Sequence, residues 1–136
     1  MQLYYFKMED YETEFFIKKL EFDYGQRKTI TKLKFISNQI SWLKGWPKSR
    51  KAFWNGEAFM WGNKISNQKR DLIKKEFNTI NGKNLDLGCG SHSYVSSVGF
   101  DISERMLRLN DDLIEKVTGD VEKELPFRKN SFSSVT

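Results

Sequence analysis

A short apolar strand that runs directly into two glycines constrains the fold of this chain more than any other feature. Residues 84–87 (NLDL) have the apolar character of a buried strand, and residues 88–90 (GCG) follow without a gap. Two glycines one residue apart after a strand are typical of a loop whose backbone approaches a ligand closely. This arrangement predicts an α/β protein with a binding loop at the carboxyl end of a strand.

Two later segments have a related form, a short strand that ends in a carboxylate. Residues 98–101 (VGFD) end in Asp101, and residues 117–120 (VTGD) end in Asp120. In open α/β sheets, ligands bind at the carboxyl ends of parallel strands. The series therefore predicts that the three strand ends lie around one ligand.

Shorter signals predict the elements that connect these strands. Even if the second strand begins near residue 97, only residues 91–96 remain between the glycines and that strand, whereas a parallel pair usually needs a crossover of a dozen or more residues. We therefore expect an irregular connection there. Ser103 predicts the N-cap of a helix. This helix is expected to carry Met106, Leu107, Leu109 and Leu113, and a fourth strand to start within residues 131–136.

The first part of the chain is predicted to be helical. Apolar residues recur at helical spacing within residues 11–22 and from about residue 29 to 43, and a third, shorter helix is predicted at residues 49–61. A fourth helix begins after Ser66 as its N-cap, and Ile73, Phe77 and Ile80 form its apolar stripe.

The charged residues are distributed unevenly along the chain, and the balance changes near residue 83. Residues 1–83 carry 17 basic and 9 acidic side chains, whereas residues 84–136 carry 6 and 9, within a total formal charge of +5. A predicted turn at residues 81–84 (NGKN) lies between these parts. We therefore expect a helical, basic, aromatic-rich segment at residues 1–81 and a ligand-binding α/β segment at residues 82–136.

Composition excludes several classes of protein. The chain has 11 Phe, 5 Tyr and 4 Trp residues, which is too aromatic for a disordered protein. One cysteine and one histidine exclude a disulfide framework and a Cys/His zinc cluster. The apolar runs are too short for a membrane span or a signal peptide. We expect a cytoplasmic protein with no metal and no membrane partner.

Residues 82–136 contain a series of short segments, which are, in order, 85–90 (LDLGCG), 99–103 (GFDIS), 106–107 (ML), 119–120 (GD), 125–127 (LPF) and 130–132 (NSF). With this series, residues 82–136 resemble the class I S-adenosylmethionine-dependent methyltransferases, which have a Rossmann-like sheet. Each segment alone is a weak signal, but the ordered set is specific. Residues 1–80 resemble no family that we can name.

The resemblance implies that this segment binds S-adenosyl-L-methionine. Gly88, Cys89 and Gly90 would wrap the methionine end of the cofactor, and Asp86 would help to position its ammonium group. Asp101 would accept hydrogen bonds from both ribose hydroxyls, a task that suits a carboxylate with two acceptor oxygens.

The resemblance also implies the residues around the adenine ring. Ile102 would pack on the ring face, Asp120 would meet the amino group, and the Val121 backbone amide would meet a ring nitrogen. Simpler roles compete with two of these assignments, because Asp120 is also suited to a turn and Asp101 to capping the following helix. The cofactor role is the favoured interpretation of both aspartates.

Cys89 and His92 are interpreted mainly as structural residues. Cys89 is small enough for the turn, and a nucleophilic role is the less favoured alternative. His92 stands where many methyltransferases have a third glycine, and a surface loop histidine is favoured over contact with cofactor or substrate.

A nicotinamide or flavin dinucleotide site is the rival interpretation of the glycine loop. Its fingerprint requires a third glycine where this chain has Ser93, and an acid about 20 residues along the chain. Asp101 follows Gly88 too closely to match that spacing. The dinucleotide interpretation is therefore disfavoured.

The resemblance covers only part of the methyltransferase fold. The family sheet has seven strands in the order 3-2-1-4-5-7-6, and this chain ends within the fourth, so we expect a truncated, amino-terminal part of an enzyme. Ser133 also replaces an aspartate that is common in the family. The catalytic residues and the methyl acceptor are therefore unknown, and the unpaired edge of the fourth strand predicts self-association.

A second hypothesis is a non-catalytic RNA-binding or partner-docking protein on a degenerate methyltransferase scaffold. Residues 27–75 contain 13 basic and only two acidic side chains, and Trp42, Trp46 or Trp54 would stack on bases. The alternative is that the lysines cover helix faces while the aromatic rings form a core. That alternative is favoured because the stretch contains no RNA-binding motif.

Overall fold

The computed structural model describes residues 14, 16, 18, 30–61 and 65–136, without the side chains of residues 30, 59 and 60. The chain forms two compact units, Met1–Phe59 and Met60–Thr136. Most of the helix predicted at residues 11–22 lies outside the described residues, although residues 14, 16 and 18 are helical.

The described part of the first unit is helical. Helix α1 spans Ile30–Ser37, a short 3-10 helix spans Ser41–Leu43, and helix α2 spans Arg50–Trp61, which confirms the helix predicted at residues 49–61. The α-helix predicted to continue from 29 to 43 ends at Ser37, whose hydroxyl donates to the Lys34 carbonyl at 2.9 Å. The turns that follow have hydrogen bonds between residues three apart, so Ile40 and Leu43 stay buried although the α-helix has ended.

The second unit contains the last two residues of α2 and then a capped helix. Helix α3 spans Asn67–Glu76, and the Ser66 hydroxyl accepts a hydrogen bond from the Lys69 backbone N–H at 3.3 Å, which confirms the predicted N-cap. None of the helical residues is fully buried. The composition boundary near residue 82 would group this helix with the first segment, whereas the compact units place it with the sheet.

Four parallel strands form the sheet of the second unit. Strand β1 spans Asn84–Leu87, β2 Ser97–Asp101, β3 Leu113–Thr118 and β4 Ser134–Val135, and helix α4 spans Glu104–Leu109 between β2 and β3. The strand order is β3-β2-β1-β4, and every pairing is parallel. The α/β class and the parallel sheet are therefore confirmed, and the architecture is compatible with a Rossmann-like fold.

Two details of the predicted second unit are corrected or confirmed by the sheet. Leu113 begins β3 and does not belong to α4, because Asn110 ends the helix and β3 starts earlier than predicted. The connection from β1 to β2 contains no helix, as the short spacing predicted.

The core of the sheet explains part of the sequence motif series. Leu85, Val98 and Phe100 are buried, and the partly buried side chains packed against them are Leu87, Val117, Leu125, Phe127 and Phe132. The ring of Phe127 makes edge-on contacts with Phe100 and Phe132, at centroid distances of 5.8 and 5.3 Å. The segments 125–127 and 130–132 therefore cover the core of the sheet.

Among the helices of the described residues, none combines the length and the apolar composition that a membrane span requires.

Candidate functional site

Backbone hydrogen bonds bring the carboxyl ends of three strands together. The Gly90 N–H donates to Oδ2 of Asp101 at 2.8 Å, and the Gly88 N–H donates to the Phe100 carbonyl at 2.7 Å. The Gly119 N–H, just after β3, donates to the Asp101 carbonyl at 3.0 Å. The glycine loop, the end of β2 and the end of β3 therefore form one connected edge.

The glycine loop adopts a conformation that favours glycine. Gly88 and Gly90 have φ angles of 65° and 61°, in the left-handed region that costs other residues about 1–2 kcal/mol. A Cβ atom on Gly88 would meet no atom within 4 Å, and one on Gly90 would lie 3.9 Å from Nε1 of Trp61. The loop therefore needs glycine at position 88 for its backbone conformation, and the space beside it is open.

Asp101 is held by the backbone around it. It is 8% exposed, its Oδ1 accepts from the Ser103 N–H at 2.8 Å, and its Oδ2 accepts from Gly90. The cap of α4 is the Ser103 hydroxyl, which accepts from the Met106 N–H at 3.1 Å. A carboxylate has about four acceptor positions, so these bonds leave Asp101 capacity for two more.

Asp86 is half-buried on β1 and is contacted by hydroxyl groups. The Ser93 hydroxyl donates to its Oδ2 at 2.6 Å. Burial raises the pKa of the Asp86 carboxyl, the hydrogen bonds from Ser93 and Thr136 act in the opposite direction, and the negative charge of Asp101 adds to the increase. Burial is the largest of these effects, so the ionised form of Asp86 is disfavoured relative to a solvated aspartate.

Cys89 is buried within the loop and is poorly suited to nucleophilic chemistry. Burial raises the pKa of its thiol to about 12, and the charges of Asp101 and Asp86 act in the same direction. A Cβ atom added to Gly99 would lie 2.9 Å from the Cys89 sulfur, so the thiol packs closely on β2. Because the thiolate is the reactive form, this environment favours the structural interpretation of Cys89.

The residues predicted to surround adenine follow β2 and β3. Ile102 comes directly after β2 and is half-buried, whereas Val121 is 54% exposed. Oδ1 of Asp120 accepts a hydrogen bond from the Glu122 N–H at 2.9 Å, the geometry of a turn-forming aspartate. The structure therefore joins Asp101 to the glycine loop by a direct hydrogen bond, whereas Asp120 accepts a hydrogen bond within the turn that follows β3.

A polar cavity of about 460 Å³ lies between α3, the β1–β2 connection and the turn before β3. His92 lines it and is half-buried, where burial and the charges of Arg70 and Lys74 lower its pKa, while Asp112 and Asp111 raise it. The other residues that line the cavity are Asn67, Asp71, Ser93, Tyr94 and Leu109. The cavity has few apolar walls, whereas small-molecule sites are mostly apolar, so it does not define a ligand.

Sequence reasoning missed Ser93, Asn110 and Trp61 at this site. Asn110 is a common residue at the end of a helix, but its side chain donates to Gly90 and Ser93, which lie 20 and 17 positions earlier in the chain. No local pattern encodes contacts over that distance.

The described parts of the chain contain no group of three or more His, Cys, Asp or Glu side chains that could hold a metal ion. Comparison with known proteins found no matching family model, no similar curated protein and no similar solved structure.

Proposed function

We propose that the second unit binds S-adenosyl-L-methionine and that the chain is an S-adenosylmethionine-dependent methyltransferase or its cofactor-binding part. The observation that carries this proposal is the bond between the Gly90 N–H and Asp101 at the carboxyl edge of a parallel sheet. Ligands of open α/β sheets bind at that edge. The open space beside Gly88 leaves room for a ligand there.

The donors and acceptors at this edge fit the polar groups of the cofactor. Asp86 would receive the ammonium group, while Gly88, Cys89 and Gly90 would line the methionine end. Asp101 would use its two remaining acceptor positions for the ribose hydroxyls.

The exposed side of the edge would receive the adenine. Ile102 would cover the ring, and Asp120 and the Val121 amide would meet its polar atoms. When bound, the cofactor supplies an activated methyl group on a sulfonium centre. Transfer depends mainly on holding an acceptor in line with that methyl group, and the acceptor and the residues that hold it are left unassigned.

Isothermal titration of the full chain with S-adenosylmethionine or S-adenosylhomocysteine tests the proposal. We expect saturable binding, which Asp101→Ala weakens by more than tenfold because two acceptor oxygens are lost. Asp101→Asn, which keeps one acceptor oxygen, should give a smaller loss. No binding at millimolar cofactor would contradict the proposal.

Asp71→Ala is the matched control for this titration. Asp71 is an exposed aspartate on α3 that lines the polar cavity. Its loss should leave cofactor affinity unchanged. Equal losses of cofactor affinity in the Asp71 and Asp101 variants would indicate that the cofactor does not bind at the glycine loop.

A second candidate function, binding of RNA, is favoured by the charges of the first unit. Between residues 30 and 59 the single acidic residue, Glu57, is 2% exposed. All the basic residues of that range are exposed, namely Lys32, Lys34, Lys44, Lys48, Arg50 and Lys51. Such a surface attracts a polyanion. RNA affinity that falls steeply with salt and is reduced in Lys44→Glu/Lys48→Glu would support this candidate, and a flat salt dependence would exclude it.

A further inference from the structure

The side chain of Asn110 reaches from the end of α4 into the glycine loop. Asn110 is fully buried, and its backbone N–H donates to the Leu107 carbonyl at the end of the helix. Its side-chain Nδ2 donates to the Gly90 carbonyl at 3.1 Å and to the Ser93 hydroxyl at 3.0 Å, while its Oδ1 accepts from the Asp112 N–H at 3.0 Å. Both donors of the amide are therefore used.

These partners determine the orientation of the Asn110 amide. The Gly90 carbonyl can only accept a hydrogen bond and the Asp112 N–H can only donate one. A flipped amide, with its oxygen and nitrogen exchanged, would place oxygen against the Gly90 carbonyl and NH₂ against the Asp112 N–H. The observed orientation is the one in which both contacts are attractive.

The orientation of Asn110 in turn determines where the Ser93 proton lies. Ser93 is 1% exposed, and its hydroxyl has one proton to donate. Because its oxygen accepts from Asn110, its proton points to Oδ2 of Asp86, at an oxygen–oxygen distance of 2.6 Å. A bond of this length is typical of a hydroxyl that donates to a carboxylate.

We propose that Asn110 and Ser93 are positioning residues for Asp86, because Asn110 fixes the glycine loop and directs the Ser93 proton onto the Asp86 carboxylate. The Gly90 backbone is then held on both sides, since its N–H donates to Asp101 and its carbonyl accepts from Asn110. The part of this inference that concerns the cofactor ammonium group rests on the proposed function. The effect on Asp86 itself does not.

Several groups affect the pKa of Asp86, and among them Ser93 is the hydrogen-bond donor from the connection between β1 and β2. The Thr136 hydroxyl also hydrogen-bonds the carboxyl, and Asp101 on the neighbouring strand adds a negative charge. The Cys89 thiol is close enough to interact with Asp86 but remains protonated. Removal of the Ser93 donor should therefore raise the pKa of Asp86 further, since a donor stabilises the ionised form.

The hydrogen-bonded series from Asn110 through Ser93 to Asp86 is called the relay. Direct titration of the Asp86 carboxyl by NMR in the full chain tests it without any ligand. We expect Ser93→Ala to move the Asp86 midpoint to higher pH, and Asn110→Ala to move it less because the Ser93 hydroxyl remains. Ser93→Cys, which keeps the shape but donates more weakly, should give a shift in the same direction. Ser96→Ala is the matched control, because Ser96 is an exposed serine of the same connection. An unchanged midpoint in folded Ser93→Ala or Ser93→Cys would overturn the inference.

Cofactor titration then separates this inference from the proposed function. If the unaltered chain binds S-adenosylhomocysteine, Ser93→Ala should weaken binding at pH values below the Asp86 midpoint, by about tenfold for each pH unit that the midpoint rises, because less of the Asp86 carboxyl is ionised. As the pH is lowered, the Ser93→Ala variant should lose cofactor binding at a higher pH than the unaltered chain does. A purely structural defect would not produce this change. If the unaltered chain does not bind while the Asp86 midpoint moves as expected, the proposed function fails and the relay stands.

Discussion

Strands β2 and β3 both lead to an aspartate, yet the two strand ends are held in different ways. Every residue of β2 is buried, and Asp101 is bonded by the N–H groups of Gly90 and Ser103. The edge strand β3 is largely exposed, and Asp120 beyond it forms a turn. The interior strand has paired neighbours on both sides, whereas the edge strand has one. The proposed cofactor site therefore combines a fixed half around Asp101 with an exposed half around Asp120.

Replacement of Phe100 should produce the largest loss of stability. Phe100 is 1% exposed, and its ring packs directly against Gly119 and Phe127. Phe100→Ala is expected to lower the free energy of unfolding by about 3–5 kcal/mol, because it removes buried area and leaves a cavity. Urea denaturation followed by circular dichroism measures this loss.

The control for Phe100 is an apolar residue on the edge strand. Ile114 on β3 is 68% exposed, so Ile114→Ala should change the free energy of unfolding by less than about 0.5 kcal/mol. Similar losses in the two variants would show that β2 and β3 do not differ as described.

Replacement of the two serine caps of the second unit should lower the free energy of unfolding by different amounts, and both losses should be smaller than that of Phe100→Ala. Ser103 is fully buried and accepts from Met106 at 3.1 Å, whereas Ser66 is exposed and accepts from Lys69 at 3.3 Å. Ser103→Ala should cost about 1–2 kcal/mol and Ser66→Ala about 0.5 kcal/mol, because water replaces the lost acceptor only at the exposed cap. The two unfolding free energies, measured under the same conditions, test this order, and a larger loss at Ser66 would contradict it.

Replacement of Asp120 should have the smallest effect. Asp120→Ala removes the hydrogen bond to Glu122 within an exposed turn, so we expect a loss of stability of at most about 0.5 kcal/mol. Its effect on cofactor affinity should be about threefold, since an exposed hydrogen bond contributes little, compared with more than tenfold for Asp101→Ala. Calorimetric titration of both variants compares the two halves of the site, and equal effects would remove the distinction.

The elements that local sequence determines were predicted closely. Strand β1 has the predicted bounds, β2 begins one residue earlier than predicted, and the caps at Ser66 and Ser103 are confirmed. These features depend on short apolar runs, on glycine and on side chains that bond to a backbone two or three residues away. The prediction for Leu113 is wrong because its spacing from Leu109 suits a helix, whereas the pairing of β3 with β2 places it in a strand.

The candidate site was predicted less completely than the strands that form it. Glycine and aspartate positions followed from strand ends, but the relay from Asn110 through Ser93 to Asp86 joins three separate elements. Serine and asparagine are common in turns, so their residue types alone do not distinguish a relay from an ordinary loop. The contacts depend on the tertiary fold, in which the short connection returns beside the end of α4.

The short connection between β1 and β2 also affects the order in which the sheet assembles. Asn84 pairs with Ser97, which is close to it in the chain, and with Ser134, which is several times more distant. Closure of the longer loop costs about 1.2 kcal/mol more in entropy, and pairings between nearby residues form faster. Strands β1 and β2 should therefore pair before β4 joins the sheet, so that the two strands that carry Asp86 and Asp101 become neighbours early in folding.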